Sequence, residues 1–525
     1  MVITENSSVA EIVKAVPGAR RIFDKHGLHG CGGEHGPSEP LSFFAAVHQA
    51  DLKGLLEELN AEAQRPQAED PHAYSETLPD YIYRRFFKAG VAIMLTVGGL
   101  WGAVNLLQIA LKKNFLQLYL LPAIHAHAHA MVFGWVGLFV MGFAYQSFPR
   151  FKNTSLWRPE LANLSFYLML TGIGTRMAGE LTAPAGLAYG LGAIAAITEL
   201  AAIVIFLVVL FRTARQSVEP RNRYEKFLLG AFFWFLVQAI LSDVFFFAKI
   251  TASTQDELIH RIALIDGPLR DLQLLGFAAL IIAGVSQRFV PLVYGLARPK
   301  RDRLDLIFWL MNGSLVLNVA CYVGLLSAMF FGATRQVPLG SVAGLELAYL
   351  LMPVWVLLLV RQLGIFSRPT QPDRTFKFVR AAYVWLLISA AMLPLFMMYG
   401  VLTHQGFAHS YMGSYRHAFT VGFISLMIMG VSARVVPILA GVDAKSLSSL
   451  WGPFVLLNLG CLGRVTLQIA TDFVPRVAYP LVGATGFIEI AALAWWGWEL
   501  WRVMNLSKTH RAAVLRPPQL VTISR

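Results

Sequence analysis

The sequence predicts an all-α, polytopic membrane protein with twelve transmembrane helices in three repeated four-helix units, preceded by a small soluble helical domain. Of its 525 residues, 56% are hydrophobic and 14% are charged, and the mean hydropathy is +0.56. This composition is too apolar for a globular enzyme of the same length. Twelve apolar segments of about 20 residues follow Phe86, each long enough to cross ~30 Å of hydrocarbon.

The N-terminal residues 1–64 are predicted to form the soluble domain, and 65–84 a polar linker. Ser8 and Glu11 have the spacing of a capping box before an amphipathic helix. A glycine-rich turn follows, and then a second helix over about 41–63. No basic-then-apolar leader precedes this domain, so we expect it to stay on the side of the membrane where it is made.

The membrane domain is predicted over 85–505, followed by a cytoplasmic tail over 506–525. The formal charge of +13 does not indicate nucleic-acid binding, because most Lys and Arg lie in short loops between apolar segments. The even-numbered loops hold more than twice as many of them as the odd-numbered loops, so both termini are predicted to be cytoplasmic in a bacterial inner membrane. The twelve predicted spans are 87–110, 125–148, 161–181, 186–211, 227–250, 271–293, 305–331, 340–362, 379–402, 415–437, 449–470 and 479–502.

An internal repeat relates segments two, six and ten. Aligned without gaps on His129, Asp271 and His417, here called position 0, they share glycine at +5 and +13 and proline at +20. The alignment extends into the following two helices of each unit. Position +47 holds Arg176, Asn318 and Arg464, and a glutamate recurs near +72 as Glu199, Glu346 and Glu489.

The first and third units differ from the middle unit in a way that predicts a site. They pair a histidine at position 0 with an arginine at +47, whereas the middle unit has Asp271 and Asn318. Ionisable residues within a membrane usually face a cavity, a partner or a cofactor. Two imidazoles from two helices suit the axial positions of a haem iron, and two arginines suit its propionates. We therefore expect His129, His417, Arg176 and Arg464 near the outer face.

Three histidines within five residues compete for this role at the start of segment two. At about 100° per residue, His125 and His129 share one face of a helix, whereas His127 lies roughly opposite. At most two of these histidines can therefore bind a ligand at the same site. The gapless repeat favours His129 as the counterpart of His417.

At these residues the chain resembles the NnrS family of haem- and copper-containing membrane proteins associated with nitric oxide. The stretch HAHAMVFGWVGLFVMGF from His127 resembles that family's HAHEMxFGFxxAxxxGF helix, and HAFTVGFISLMIMGVSAR from His417 resembles its HALTVGxxGxMxLxVMxR helix. The resemblance points as readily to His127 as to His129, and it implies haem b together with copper. The chain departs from the family after Arg434, where VVPILAG replaces an HTGR-like ending.

The same helices also resemble subunit I of haem–copper oxidases, whose twelve-helix fold holds a low-spin haem between helices two and ten. An oxidase-type active centre needs a histidine in helix six and a His-His pair in helix seven. The corresponding predicted segments have neither. What remains is an unorthodox second metal site near the outer face. Its expected ligands are His125, His260, His404 and His409.

The N-terminal domain resembles the small helical module that begins iron–sulfur-centre repair proteins. VPGARRIFDKHGLHGCGGEHG carries that module's pattern, with one cysteine where two are often seen. The resemblance points independently to nitrosative stress. Cys31, with His26, His29 or His35, is a candidate to hold a metal or to react with nitric oxide.

The sequence and its resemblances predict a b-type haem protein that responds to nitric oxide without turnover. The alternative is an oxidoreductase of the haem–copper type that reduces nitric oxide or oxygen, and a third reading is a transporter built from repeats. The expected partners are the lipid bilayer, nitric oxide or another diatomic ligand and, for the enzyme, a redox partner.

Overall fold

The computed structural model describes residues 2–29, 31–65, 77–115, 117–182, 185–332, 337–371 and 373–514. Within these ranges the regular structure is helical, and the only β feature is an isolated bridge between Ser8 and Pro40. The predicted all-α class is confirmed.

The N-terminal domain contains four short helices. They are α1 Val9–Ala15, α2 Ala19–Lys25, α3 Leu41–His48 and α4 Leu52–Ala63. Ser8 and Glu11 form the predicted capping box. The predicted second helix is wrong as one element, because Gln49 adopts a left-handed backbone with φ of 57° and Asp51 then caps a new helix with its carboxylate.

Among the described residues, twelve further helices form the membrane domain. They are α5 Leu78–Lys112, α6 Leu118–Phe151, α7 Pro159–Leu181, α8 Ala185–Gln216, α9 Tyr224–Ile250, α10 Gln255–Tyr294, α11 Arg301–Phe331, α12 Leu339–Leu363, α13 Phe376–Thr403, α14 His409–Ala440, α15 Trp451–Ala470 and α16 Pro475–Val514. Among the described residues, eleven helices are long and apolar enough to cross a membrane. The twelfth, α7, is 23 residues long, and Asn163, Arg176 and Glu180 reduce its hydropathy.

Several helices extend beyond the predicted spans. The first membrane helix begins at Leu78, inside the predicted linker, where Thr77 and Asp80 form a capping box. The last continues to Val514, so the predicted tail begins within a helix, and 515–525 lie outside the described residues. The first turns of these helices are polar, so hydropathy alone did not predict where the helices begin.

The glycine columns of the repeat explain how each unit packs. A Cβ at the +5 glycine would lie 2.4–2.9 Å from a side chain on the first helix of the same unit. Only glycine permits this close approach. The pairs are Gly134 with Ile93, Gly276 with Trp234 and Gly422 with Trp385.

A π-helical segment follows position 0 in each unit. These segments are Ala130–Gly137 in α6, Leu272–Ala279 in α10 and Ala418–Ser425 in α14. Each contains the +5 glycine. A π segment rotates the side chains on its two sides relative to each other and often marks a functional site.

The N-terminal domain packs against one end of the helix bundle, here called the proximal end. Arg150 donates to the carbonyl of His29 at 3.0 Å, and Arg288 donates to the carbonyl of Val47 at 2.6 Å. Arg434 binds the carboxylate of Glu39 at 2.8 and 3.1 Å. One arginine from each of α6, α10 and α14 thus holds the domain, and the predicted site lies at the opposite, distal half of these helices.

Candidate functional site

His127 lies on α6 and faces α5. Its Nδ1–H donates to the carbonyl of Gly98 at 2.8 Å. The ring packs against Gly102, where a Cβ would come within 2.4 Å of Cε1. Because the proton is on Nδ1, Nε2 keeps its lone pair. The half-buried ring therefore presents a potential metal-binding nitrogen.

His417 on α14 has the same arrangement. Its Nδ1–H donates to the carbonyl of Gly413 at 2.9 Å, and the ring is half-buried. Arg464 and His127 are among its electrostatic neighbours. A backbone carbonyl that orients the second ring nitrogen is the usual support of a metal-ligating histidine. His127 and His417 are therefore a matched pair of candidate ligands.

His129, the repeat counterpart of His417, is engaged elsewhere. Its Nε2 lies 2.8 Å from Oε1 of Glu199, and both side chains are buried. The ring stacks on Phe133 with centroids 4.3 Å apart. The projecting nitrogen of His129 is thus occupied by a carboxylate from α8.

His125 is also engaged. Its Nδ1 accepts a hydrogen bond from Nζ of Lys249 at 3.0 Å, and the same ammonium lies 2.7 Å from both carboxylate oxygens of Glu180. An Nδ1 that accepts requires the proton on Nε2, so neutral His125 has no free lone pair. Of the three histidines in the cluster, only His127 leaves Nε2 with a lone pair and without a partner among the described residues.

The two predicted arginines differ in their contacts. Arg176 forms an ion pair with Asp243 and lies 4.5 Å from the ring centroid of Phe246. Nε and Nη1 of both arginines find no hydrogen-bond partner among the described residues, but buried Arg464 also forms no ion pair there. One oxygen each of Gln468 and Glu489 is likewise unpartnered within that part of the chain. Unit three therefore holds a buried polar cluster whose hydrogen-bonding capacity is unused.

The middle unit satisfies the same repeat positions internally. Nδ2 of Asn318 donates to Oδ2 of Asp271 at 2.7 Å. Where the first and third units have His and Arg, the middle unit thus has an Asp and an Asn that bind each other. The middle unit therefore offers no imidazole at position 0.

The residues expected at a second metal site are dispersed. His260 lies inside α10 and stacks on Phe330 at 4.4 Å, whereas His409 begins α14 and is exposed. His404 ends α13 with a left-handed φ of 54° and is exposed. Among the described residues, no group of three or more His, Cys, Asp or Glu could hold a metal ion.

Cys31 is buried at the proximal end, on the wall of an apolar cavity. Burial raises the pKa of its thiol, although Arg150 and Arg20 act in the opposite direction. Burial also lowers the pKa of His29 and His35. A protonated thiol is a poor metal ligand and a poor nucleophile.

The carbonyls of Gly98 and Gly413, the carboxylate of Glu199 and the π segments were not identified as site features from the sequence. Carbonyl partners leave no sequence signal. The +5 glycine column marked each π segment, but a glycine column alone does not distinguish a π segment from tight helix packing.

A family comparison covers most of the membrane domain. The sequence model described as NnrS protein matches residues 78–507, which leaves the N-terminal domain outside the match. No curated protein matches the chain. Since the match spans well over half of the chain, this multi-pass membrane protein belongs to the NnrS family.

Proposed function

We propose that this protein binds a b-type haem between α6 and α14 and takes part in the response to nitric oxide. The observation that carries the proposal is the matched pair of His127 and His417, each with Nδ1–H bound to a backbone carbonyl and Nε2 free. Family membership supports the nitric-oxide role.

The surrounding residues fit a haem. Neutral imidazole nitrogens are the usual axial ligands of haem iron. Gly102 of α5 carries no side chain, so the ring of His127 can lie against the backbone of that helix and keep its bond to the carbonyl of Gly98. The unpartnered guanidinium of Arg464 matches an anionic propionate.

The proposal uses one arginine rather than the two expected from the repeat. Arg176 already forms an ion pair with Asp243, and so its charge is compensated without a cofactor. Arg464 has no such partner among the described residues. When bound, a haem supplies a redox-active iron with affinity for diatomic ligands.

Copper and an oxidase-type centre are not part of this proposal. Such a centre needs a cluster of histidines, and α11 has none, while His260 of α10 stacks on an aromatic ring. For localisation we propose a bacterial inner membrane with both termini cytoplasmic. The Lys- and Arg-rich loops follow the proximal ends of α6, α8, α10 and α12, which supports this orientation.

Optical spectroscopy and haem extraction on the full-length protein test the proposal. We expect a low-spin b-type spectrum for the wild type and its loss in His127→Ala and His417→Ala. The matched controls are His129→Ala and Asp271→Ala, which occupy position 0 of the other two units and should retain the spectrum.

Two results would overturn the proposal. One is a wild-type protein that takes up no haem after reconstitution. The other is equal haem loss from His129→Ala and His127→Ala, since that would show a general packing effect. The unfolding temperature of each variant, measured in parallel, identifies variants that lose haem because they unfold.

A further inference from the structure

A second feature lies at the proximal half of the inner helices, far from His127 and His417. A cavity of about 240 Å³ lies among α6, α10 and α14, with contributions from α5 and α9. Phenylalanine, valine, isoleucine and leucine make up 22 of the 34 residues on its wall. We call this cavity the axial chamber.

The chamber lies on the axis that relates the three units. Its wall takes the residues at +11, +14, +18 and +22 from every unit, a spacing that follows one face of a helix. These residues are Val140, Ile282 and Ile428; Phe143, Val285 and Val431; Ser147, Phe289 and Val435; and Phe151, Val293 and Leu439.

The N-terminal domain lines one side of the chamber. Phe43, Phe44 and Val47 of α3 and its adjoining residues lie on the wall. The domain is held there by the contacts of Arg288 with Val47 and of Arg434 with Glu39. The N-terminal domain thus contributes part of the wall of a cavity inside the helix bundle.

The polar groups at the rim are largely occupied by protein contacts. Arg288 donates to Tyr224 as well as to Val47, and its guanidinium lies 4.3 Å from the ring centroid of Phe151. Arg434 is neutralised by Glu39. The donors of these arginines are thus engaged by the protein, and a charged ligand in the chamber would lose its hydration against a mainly apolar wall.

We infer that the axial chamber is a binding site for a small, uncharged, apolar molecule, in a size range from a diatomic gas to a single aromatic ring. Protein interiors are packed densely and rarely contain voids larger than a water molecule. An apolar cavity of about 150 Å³ stays dry and binds benzene or xenon, and this chamber is larger. The inference does not depend on haem.

Xenon is a suitable probe, because it is apolar, uncharged and chemically inert. We expect the full-length protein in nanodiscs to give a bound-xenon signal in ¹²⁹Xe NMR. The double variant Val285→Phe and Val431→Phe copies Phe143, the residue at +14 in unit one, into the other two units, and should remove the signal by filling the chamber. Val354→Phe is the matched control, because Val354 is 45% exposed on α12.

The inference is overturned if wild-type protein gives no bound-xenon signal, or if the filled variant keeps it. It is also overturned if a lipid or detergent chain co-purifies in the chamber, since the occupant is then an elongated amphiphile. Ala144→Leu fills less space and serves if the double variant does not fold. Haem content of the same samples separates this result from the proposed function.

Discussion

Units one and three have the same residue at position 0 but use it differently. His129 of unit one is held by Glu199 at 2.8 Å. His417 of unit three leaves Nε2 free, and Glu489, the equivalent glutamate, has an unpartnered oxygen among the described residues. Equivalent positions in a repeat place the backbone of two residues alike. The neighbouring side chains then determine which nitrogen of each imidazole is left without a hydrogen-bond partner.

As a consequence, the candidate ligand on α6 lies two residues before the position that the repeat predicts. His127, on the other face of that helix, has the bonding pattern of His417, whereas His129 does not. The candidate site is therefore built from non-equivalent positions of two repeats. The arginines follow the same rule, because Arg176 is paired and Arg464 is not.

The largest expected effect comes from the arginines. Arg176→Leu leaves Asp243 as a buried carboxylate without its partner, and breaking such a pair typically lowers the free energy of unfolding by about 3–5 kcal/mol. Arg464→Leu removes a guanidinium with unused donors and should change stability far less. Thermal unfolding of both purified variants measures the contrast, and equal losses would contradict it.

The two glutamates give a smaller contrast. Glu199→Ala leaves the Nε2–H of His129 buried without an acceptor, a loss of about 1–3 kcal/mol. Glu489→Ala removes a side chain with an unpartnered oxygen and should be milder. The same unfolding measurement applies. A larger loss of stability in Glu489→Ala would contradict this expectation. It would show that Glu489 is hydrogen-bonded within unit three, as Glu199 is to His129 in unit one.

A glycine substitution tests the free imidazole of His127 directly. In Gly102→Ala the new methyl group would lie 2.4 Å from Cε1, so the ring must move away from Gly98. We expect partial loss of the low-spin haem spectrum proposed above. Gly174→Ala on α7 is the control, because a Cβ there meets nothing within 4 Å. Equal spectra in the two variants would remove His127 from the site.

The smallest effect concerns the proximal end, where His48 faces the bundle. Burial lowers the pKa of His48 to about 3, and the charges that face it, Arg150 and Arg288 with His29 and His26, act in the same direction. In the unfolded domain histidine titrates near 6.5. As pH falls below 6.5, the unfolded domain therefore binds a proton that the folded domain does not, and stability decreases.

Hydrogen exchange of residues 2–65 at pH 7 and pH 5, corrected for the intrinsic rate, measures this loss. We expect faster exchange at pH 5 in the wild type and a weaker pH dependence in His48→Gln. Lys53→Gln is a control at an exposed position of the same domain, away from the chamber wall. An unchanged pH dependence in His48→Gln would show that another group titrates.

Much of the fold could be predicted from periodicity and composition. The repeat columns at +5 and +13 identified where the helices of each unit approach, and the structure explains them by contacts such as Gly134 with Ile93 and Gly430 with Phe378. Helix ends were harder, because the first turns of α5, α10 and α14 are polar. Hydropathy reports the lipid-facing core of a helix and not its hydrogen-bonded ends.

The candidate site was predicted in part. The sequence identified α6 and α14, His417 and Arg464, and it left His125, His127 and His129 open. That choice depends on Lys249, Glu199 and Gly98, which lie on three other helices. A helical wheel gives the direction of a side chain but not its partner.

The sequence by itself determined the class of the protein and its three units, and it pointed to the two helices that carry the candidate site, because these depend on hydrophobic length and on recurring local spacing. Only the tertiary structure decided which histidine leaves Nε2 free, which arginine forms no ion pair and that the N-terminal domain lines an apolar chamber. The physical reason is that hydrogen bonds, ion pairs and cavities form between residues far apart in the chain, and such contacts have no local period.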